Sequence, residues 1–497
     1  MTHGLATLFT RPQVRQHASR KSCWIIIDKT VYDITEFVDS HPGGSKLLLN
    51  YGGRDATEPF EQLHSAGTLE KYLTPQQVEL IRPMIHELTR HDSQMLGSVE
   101  ATEPSTKAEA QVAQPRKVRL SSVLSIQDFE IAASKILPPR SFAFFKSGAE
   151  DEYGYNWNLD SWKTVRLRPR ILRPISVVDT SCSLLGTRWS APFFICPAGG
   201  GKIANPAGEV LLTKAAAKHN VLHWVCNNAS CSKREIADVR AQNQTLYWQI
   251  YAKSDLRESE KEVREAIELG YKGFALTVDA VRAGIRERDL RVKSDEQLAD
   301  DTSAEGESES ESESDEANDF ANGQTVKRPP VWTEFSWDSA VEWLRGLTDL
   351  PIAIKGIQCW EDAALCMQYE GVHPWLSNHG GRQLDTAPSA IDTLADIQKH
   401  CPHLCVKREV IIDGGVTRGA DIVKALALGA RGVGLGRPFL YALVLGEAGV
   451  SKALRILKYE VETTMALLGA TSLHQLNPSQ VDTSGLAKGV IYLKARI

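Results

Sequence analysis

The sequence predicts an α/β protein in which a (β/α)8 barrel of the TIM type follows a small α+β domain. Three observations predict this fold class. The chain has 497 residues, more than one ordinary hydrophobic core accommodates. Residues 91–117 lack apolar periodicity and separate a segment of residues 10–90 from a longer one, 118–497. In the longer segment, eight short apolar runs alternate with amphipathic helical stretches.

The first domain, residues 10–90, carries its own pattern of elements. WIIID and VYDIT predict short strands, and TPQQVELIRPMIHEL has helical spacing. The stretch that follows, residues 91–117, is rich in Ser, Thr, Glu, Gln and Pro, which indicates a linker.

The barrel strands are predicted from eight β-rich runs. They are residues 192–198, 221–227, 245–251, 273–279, 351–356, 374–379, 410–415 and 432–437. Segments between them, such as AGEVLLTKAAAKHN, have the spacing of crossover helices. A doubly wound open sheet is the alternative, but no GxGxxG turn follows the first strand. Catalysis in a barrel is expected at the carboxyl ends of the strands.

Charge and composition restrict the partners. The formal charge is −5, and residues 295–319 hold twelve acids without Lys or Arg, so the rest of the chain sums to +7. No basic run or aromatic-interleaved patch appears, so we predict no nucleic-acid partner. The acidic segment is interpreted as a disordered insertion, residues 294–328. A solvated spacer is favoured over a mobile cover of the active site.

Neither membrane insertion nor secretion is predicted. The sequence has no apolar run of about 20 residues and no signal-peptide core. Nine cysteines without paired spacing indicate reduced thiols rather than disulfides or a zinc site. We therefore expect a cytoplasmic protein. The Arg-rich, acid-free start keeps the mitochondrial intermembrane space as the alternative.

Two histidines of the first domain are candidate iron ligands. HPGG enforces a turn that presents His41, and His64 follows 23 residues later. Two neutral imidazoles in both axial positions of a haem would favour electron transfer, whereas the ordinary alternative is two unrelated surface histidines. The stretch CWIIIDKTVYDITEFVDSHPGG resembles the cytochrome b5 family. That resemblance implies b-type haem held by His41 and His64.

Polar residues end nearly every predicted barrel strand. Convergence of so many on one mouth favours a site over ordinary turn residues. The residues that end the eight predicted strands are Pro197, Ala198, Asn227, Gln249, Tyr251, Thr277, Asp279, Lys355, His379, Asp413, Gly414, Gly415, Gly436 and Arg437.

These residue types suggest oxidation of a small acid. His379 would be the base and Asp279 the anion beside it, while Arg382 and Tyr251 would hold a carboxylate. Lys355 would stabilise negative charge on a cofactor ring. A core histidine satisfied by a carbonyl is the alternative for His379.

The two glycine-ended strands suggest a phosphate site. Gly414, Gly415 and Gly436 would let backbone amides approach a phosphate, and Arg437 would add charge. Glycines that merely turn the chain are the alternative.

Four stretches resemble the FMN-dependent 2-hydroxy acid dehydrogenase and oxidase family: FKSGAEDEYGYNWNLDSWKTVRLRPRIL, ALTVDAVRAGIRERDL, SNHGGRQLD and DGGVTRGADIVKALALGA. The resemblance implies His379 as base, Asp279 as its partner, Arg382 and Tyr251 on the substrate carboxylate, and Arg286 assisting from a mobile loop. It implies FMN contacts from Pro197, Ala198, Gln249, Thr277 and Lys355. Its phosphate would meet Asp413 on the ribityl side, then Gly415, Gly436 and Arg437, and Gly414 would also contact the cofactor.

The two resemblances together imply an activity. With a cytochrome b5-like domain in front, the chain is similar to the cytochrome-type L-lactate dehydrogenases of this family. They imply oxidation of a lactate-like L-2-hydroxy acid, electron flow from FMN through haem to cytochrome c, and a homotetramer. The alternatives are an oxidase that uses oxygen with an idle haem domain, or a non-catalytic haem-binding interaction protein with a degenerate barrel.

Several positions depart from the family pattern. Phe144 stands where a tyrosine is usual, Thr417 where an arginine meets the phosphate, and Cys226 where a serine meets the flavin. Gly199 and Asn228 replace the usual alanine and the usual leucine or tryptophan on the substrate side. These differences predict a pocket that is larger or more polar than lactate requires.

Overall fold

The computed structural model describes residues 11–27, 30–38, 41, 45–57, 60, 118–292 and 331–487. The chain divides into two compact units, Met1–Gln111 and Val112–Ile497. Each has its own hydrophobic core. The predicted linker, the acidic insertion and His64 lie outside the described residues.

The first unit contains a small sheet organised around one apolar strand. Its elements are α1 (Arg11–Arg15), β1 (Ala18–Ser19), β2 (Ser22–Ile27), β3 (Thr30–Asp33), a 3-10 turn (Thr35–Phe37), α2 (Ser45–Tyr51) and β4 (Arg54–Asp55). Strand β2 pairs antiparallel with β1 and β3 and parallel with β4. Cys23 and Ile25 pack on one face of β2 and Ile26 on the other, so alternation buries both faces. The two strands predicted in this unit are confirmed.

Three helices and a hairpin precede the barrel in the second unit. They are α3 (Ile126–Ile136), α4 (Pro139–Lys146), α5 (Tyr153–Thr164), β5 (Arg166–Leu167), β6 (Cys182–Leu184) and β7 (Thr187–Trp189), with a 3-10 turn at Leu120–Ser122 before α3. The Tyr247 hydroxyl, inside the barrel, lies 3.3 and 3.2 Å from the carbonyl oxygens of Leu184 and Leu185, within hydrogen-bonding distance of both. The β6–β7 hairpin therefore closes the amino-terminal end of the barrel.

Eight parallel strands close into a barrel in chain order, and each corresponds to a predicted apolar run. The strands are β8 (Phe193–Ile195), β9 (His223–Val225), β10 (Leu246–Ile250), β11 (Phe274–Thr277), β12 (Ile352–Ile357), β13 (Val372–Leu376), β14 (Val410–Asp413) and β15 (Ala430–Leu435). The predicted barrel is thus confirmed.

Helices surround the barrel between its strands, as the crossover pattern predicted. They are α6 (Gly201–Ala204), α7 (Glu209–Lys218), α8 (Lys233–Asp238), α9 (Leu256–Glu268), α10 (Trp337–Arg345), α11 (Trp360–Leu365), α12 (Ala390–His400), α13 (Leu404–Lys407), α14 (Gly419–Ala427), α15 (Arg437–Leu443) and α16 (Gly446–Leu468). Near the end, β16 (Val481–Asp482) pairs with β5 and is followed by α17 (Ser484–Ala487).

Large aromatic side chains fill the barrel interior. Phe194, Trp224, Tyr247 and Trp375 form its buried core. Opposite them β15 carries glycines, and a Cβ on Gly434 would lie 2.3 Å from the Cys196 sulfur. Because the interior is packed solid, a ligand can enter only above the aromatic layer, at the carboxyl ends of the strands.

Candidate active site

A cavity of about 720 Å³ opens at the carboxyl ends of the barrel strands. The structure brings together there every barrel residue predicted for the site except Asp279, which lies behind His379. The lining includes Pro197, Ala198, Gly199, Cys226, Gln249, Tyr251, Thr277, Arg286, Lys355, His379, Arg382, Asp413, Gly414, Gly415, Gly436 and Arg437.

A histidine and an aspartate from the sixth and fourth loops of the barrel form a hydrogen-bonded pair. Asp279 follows β11, and its Oδ1 lies 2.8 Å from Nδ1 of His379, which follows β13. The Tyr251 hydroxyl lies 3.2 Å from the other ring nitrogen, Nε2. His379 has a φ of +58°, a left-handed conformation that costs a non-glycine residue about 1–3 kcal/mol. The local fold therefore holds this imidazole in a strained position at the mouth.

The charges around the pair favour a neutral imidazole beside a charged carboxylate. Burial lowers the pKa of His379; the negative charge of Asp279 partly offsets this shift and the positive charge of Lys355 adds to it. Burial alone would raise the pKa of Asp279, but His379 and Lys355 hold it below its ordinary value. Near neutral pH, His379 is thus ready to accept a proton at Nε2.

Lys355 and Asp413 form a buried ion pair under the cavity. The Lys355 ammonium donates to the Ser377 hydroxyl at 3.1 Å and lies 3.7 Å from Asp413 Oδ2. Burial alone would lower the pKa of Lys355, but Asp413 and Asp279 hold it above its ordinary value. The lysine therefore keeps its charge.

Asp413 forms hydrogen bonds within the protein, and its predicted contact on the ribityl side of the phosphate stays a prediction. Its carboxylate accepts hydrogen bonds from the Ser377 hydroxyl at 2.6 Å and from Trp375 Nε1 at 3.0 Å. The Cys196 sulfur lies 3.7 Å from Oδ2. The carboxylate thus faces Lys355 in the cavity floor. Sequence reasoning missed Ser377, although it begins the SNHGGRQLD stretch.

Two arginines converge on one side of the mouth. The guanidinium carbons of Arg286 and Arg382 lie 5.6 and 5.4 Å from the centre of the Phe144 ring. Arg382 Nη1 donates to the carbonyls of Phe144 at 2.9 Å and Ser147 at 3.0 Å, which fixes its orientation. Burial lowers the pKa of Arg382, and Arg286 and Arg437 lower it further. A bound carboxylate would relieve this like-charge repulsion.

The Arg437 side chain is held in place by backbone carbonyls, and its predicted contact with a phosphate stays a prediction. Its guanidinium donates to the carbonyls of Phe145, Gly380 and Ser147, each at 2.8 Å. The side chain therefore ties α15 to the loops around it. The backbone of Gly436 and Arg437 still lines the cavity and remains available to a phosphate.

A directed hydrogen-bond chain crosses the opposite wall. Gln249 Oε1 accepts from the Asn227 amide at 3.1 Å and the Cys226 thiol at 3.4 Å. Burial raises the pKa of Cys226 to about 12, so the thiol stays protonated and donates. Gln249 Nε2 then donates to the Thr277 hydroxyl oxygen at 2.9 Å. Thr277 accepts at that point, which leaves its own proton for an acceptor in the cavity.

Two further buried side chains, also missed from the sequence, hold the loops around the cavity. Glu209 accepts hydrogen bonds from the backbone amides of Gly201, Ser230 and Cys231 and thereby joins the first two loops. Gln383 joins the fourth loop to the sixth. Glu209 is the first residue of α7, where an acidic side chain is ordinary, so no sequence signal marked its burial.

The departures on the substrate side are close together. A Cβ added to Gly199 would lie 2.4 Å from the Asn228 carbonyl oxygen, so the two loops touch through a glycine. The ring of Phe144 lies near Gly200, where an added Cβ would be 3.4 Å away. The backbones of the first two loops therefore approach each other closely at this point.

The first unit contributes a part-buried histidine. His41 follows the 3-10 turn, and its ring centre lies 5.7 Å from that of Phe37 in an edge-on arrangement. Because His64 lies outside the described residues, the iron-ligand pair stays a prediction. Over the part of the chain that the structure covers, no helix is long and apolar enough to cross a membrane.

Two family models match the chain. The FMN-dependent dehydrogenase model matches residues 133–483. The cytochrome b5-like haem/steroid binding domain model matches residues 10–79, which include both His41 and His64.

Individual relatives divide into two sets by how much of the chain they match. The L-lactate dehydrogenase (cytochrome) of Wickerhamomyces anomalus is 36% identical over 479 residues, covering 95% of this chain and 79% of the relative. A peroxisomal (S)-2-hydroxyacid oxidase of Arabidopsis thaliana is 36% identical over 367 residues, covering 73% of this chain and 98% of the relative. Among solved structures, a mutant flavocytochrome b2 with pyruvate bound has a TM-score of 0.66 and 34% identity, covering 75% of this chain and 90% of that one.

Proposed function

The chain belongs to the FMN-dependent dehydrogenase family, and from this premise we propose that it oxidises an L-2-hydroxy acid to the 2-oxo acid with FMN and b-type haem. One observation carries the proposal: His379, the two converging arginines and the buried ammonium of Lys355 line a single cavity, and Asp279 contacts His379 from behind it.

The residues of the cavity fit FMN. Gln249, Thr277 and Lys355 offer donors to a flavin ring, with Pro197, Ala198, Gly199 and Cys226 beside it. The backbone of Gly414, Gly415, Gly436 and Arg437 would hold the phosphate. When bound, FMN would supply the acceptor of two electrons and could pass them on one at a time. The buried charge of Lys355 favours negative charge on such a ring.

The chain's own side chains bind the acid and take its proton. Arg382 and Arg286 would hold the carboxylate, with the Tyr251 hydroxyl completing the clamp. That placement turns the hydroxyl-bearing carbon towards His379 Nε2. His379 accepts the proton, and Asp279 stabilises the imidazolium that results.

The substrate is a lactate-like L-2-hydroxy acid. A relative named L-lactate dehydrogenase (cytochrome) supports lactate itself. Phe144, Gly199 and Asn228 favour acids with larger or more polar side chains, because they differ from the residues usual in the family on the substrate side.

The electron acceptor distinguishes this proposal from an oxidase. The relative named for a cytochrome matches 95% of the chain, whereas the oxidase relative matches 73%. An oxidase function would therefore leave the haem domain of this chain without a role. This difference favours a dehydrogenase in which His41 and His64 hold the haem iron and cytochrome c takes the electrons. A non-catalytic reading is disfavoured because the base, its partner and the arginines occupy one site.

Assembly and location are further parts of the proposal. We expect a homotetramer, which sedimentation velocity tests directly. A cytoplasmic location, with the mitochondrial intermembrane space as the alternative, is tested by cell fractionation against a cytochrome c marker.

An anaerobic stopped-flow experiment tests the function. The purified protein is mixed with short, branched and aromatic L-2-hydroxy acids, with the D-enantiomers as controls. We expect flavin bleaching followed by haem reduction, and then reduction of added cytochrome c. Bleaching without haem reduction, together with rapid reoxidation by oxygen, would establish the oxidase alternative. Haem absorbance without flavin absorbance would support the non-catalytic reading.

A further inference from the structure

A buried glutamine connects the loop that carries the base to the loop that carries its partner. Gln383 follows Arg382 and is 8% exposed. Its Nε2 donates to the carbonyls of Asp279 at 3.0 Å and Arg282 at 2.8 Å. Its Oε1 accepts from the amide of Gly284 at 3.1 Å. Both hydrogens and the oxygen of the Gln383 side-chain amide thus bond to one segment, residues 279–284. These three hydrogen bonds also fix the orientation of the amide.

The backbone packs tightly at the same place. A Cβ on Gly284 would lie 2.2 Å from the Arg382 carbonyl oxygen and 2.7 Å from that of Gln383. Only glycine allows this approach without a shift of one loop. We call Gln383 and Gly284 together the clasp.

The clasp lies between four groups of the proposed site. On the sixth loop, His379 and Arg382 come just before Gln383. On the fourth loop, Asp279 begins the clasped segment and Arg286 follows its end by two residues. The adjacent turn joins both loops, because the Glu150 amide donates to the Ile285 carbonyl at 2.7 Å and the Ala149 amide to the Gly381 carbonyl at 2.8 Å.

From this geometry we propose that Gln383 is a positioning residue, which sets Asp279 against His379 and Arg286 against Arg382. In this role it acts through the backbone of the two loops. The inference rests on the proposed function, since it concerns the geometry of that same site. It assigns one side chain to the alignment of both the proton acceptor and the carboxylate clamp.

The proposal predicts two effects from one substitution. Gln383→Met keeps the length of the side chain and removes its three hydrogen bonds. Arg286 and Arg382 then lose their position relative to each other. The 2-oxo acid product is therefore expected to bind about tenfold more weakly, and kcat/KM to fall by roughly 10²-fold. A looser contact with Asp279 also lets the pKa of His379 fall further, so the acid limb of the kcat/KM profile moves to lower pH.

The test uses the full-length holoenzyme and pyruvate as the probe. Pyruvate is titrated into oxidised enzyme without turnover, and the change in flavin absorbance gives its dissociation constant. The pH profile of kcat/KM is measured alongside. Gln398→Met is the matched control. Gln398 lies on α12, away from the cavity, and donates a hydrogen bond to the Leu428 carbonyl at 2.8 Å. We expect this control to keep pyruvate affinity within about twofold.

A second variant separates positioning from folding. Gly284→Ala leaves the glutamine intact but pushes the two loops apart, so it is expected to weaken pyruvate binding in the same direction. Wild-type affinity and an unmoved acid limb in folded Gln383→Met would overturn the proposal. Failure of both variants to fold would also overturn it, because the clasp would then serve the fold and not the site. Failure of the proposed function is distinct, since the unmodified protein would then neither bleach nor bind pyruvate.

Discussion

Asp279→Asn is the substitution that most directly tests the proposed proton acceptor. Asparagine keeps the shape of the side chain and removes its charge. The carboxylate lies 2.8 Å from His379 Nδ1, and the Asp279 side chain is only 2% exposed, so solvent screens the pair weakly. The substitution therefore removes the anion that stabilises an imidazolium formed during the reaction.

The size of the effect follows from the distance and the burial. Two unit charges about 4 Å apart interact with about 4 kcal/mol at an effective dielectric constant of about 20. A retained neutral hydrogen bond returns about 1 kcal/mol. A net loss of about 3 kcal/mol corresponds to a fall of roughly 10²-fold in the rate of flavin bleaching. Because Asp279 opposes the burial that lowers the pKa of His379, the acid limb of the rate profile also moves to lower pH.

Anaerobic stopped-flow measurement of flavin bleaching at several pH values provides the assay. Asp392→Asn is the matched control, since this carboxylate caps α12 and accepts from Trp157 without lining the cavity. We expect the control to bleach at close to the wild-type rate. A loss of less than tenfold in Asp279→Asn, with normal flavin content, would refute the reasoning, as would an acid limb that moved upwards.

Three other predictions concern the same site. In the wild type, burial lowers the pKa of His379, so kcat/KM should fall only below about pH 6.5, and a limb at higher pH would contradict the assignment. Lys355→Met leaves Asp413 buried without its cation and should lower the free energy of unfolding by about 3–5 kcal/mol, measured by thermal and denaturant unfolding; an unchanged value would mean that the ion pair is not structural. Arg382→Lys loses the planar fork that reaches the carbonyls of α4, so pyruvate should bind about 10–100-fold more weakly in a flavin-absorbance titration; retained affinity would exclude a guanidinium clamp.

The sequence was sufficient to predict the barrel. Each strand is a short apolar run between glycine or polar turns, and that signal depends only on local pattern. The position of the site could also be predicted, because parallel strands bring their carboxyl ends to one mouth of the barrel. His379 and Lys355 lie there although 23 residues separate them in the chain.

The sequence did not predict where several side chains point. The hydrogen bonds of Arg437 to three carbonyls and the ion pair of Asp413 with Lys355 were not predicted. Such partners come from segments distant in the chain, and a strand pattern fixes backbone position rather than side-chain contacts. Gln383 escaped notice for the same reason, since its partners lie about 100 residues away. The second proposed iron ligand, His64, lies outside the described residues.

The floor of the cavity has a practical consequence for reconstitution. Lys355, Asp413, Ser377 and Trp375 satisfy one another, so this layer does not depend on a ligand for its charge balance. We expect protein stripped of its prosthetic group to keep a native circular dichroism spectrum. It should recover bleaching when free FMN is returned, which would allow flavin analogues to be exchanged into the same polypeptide.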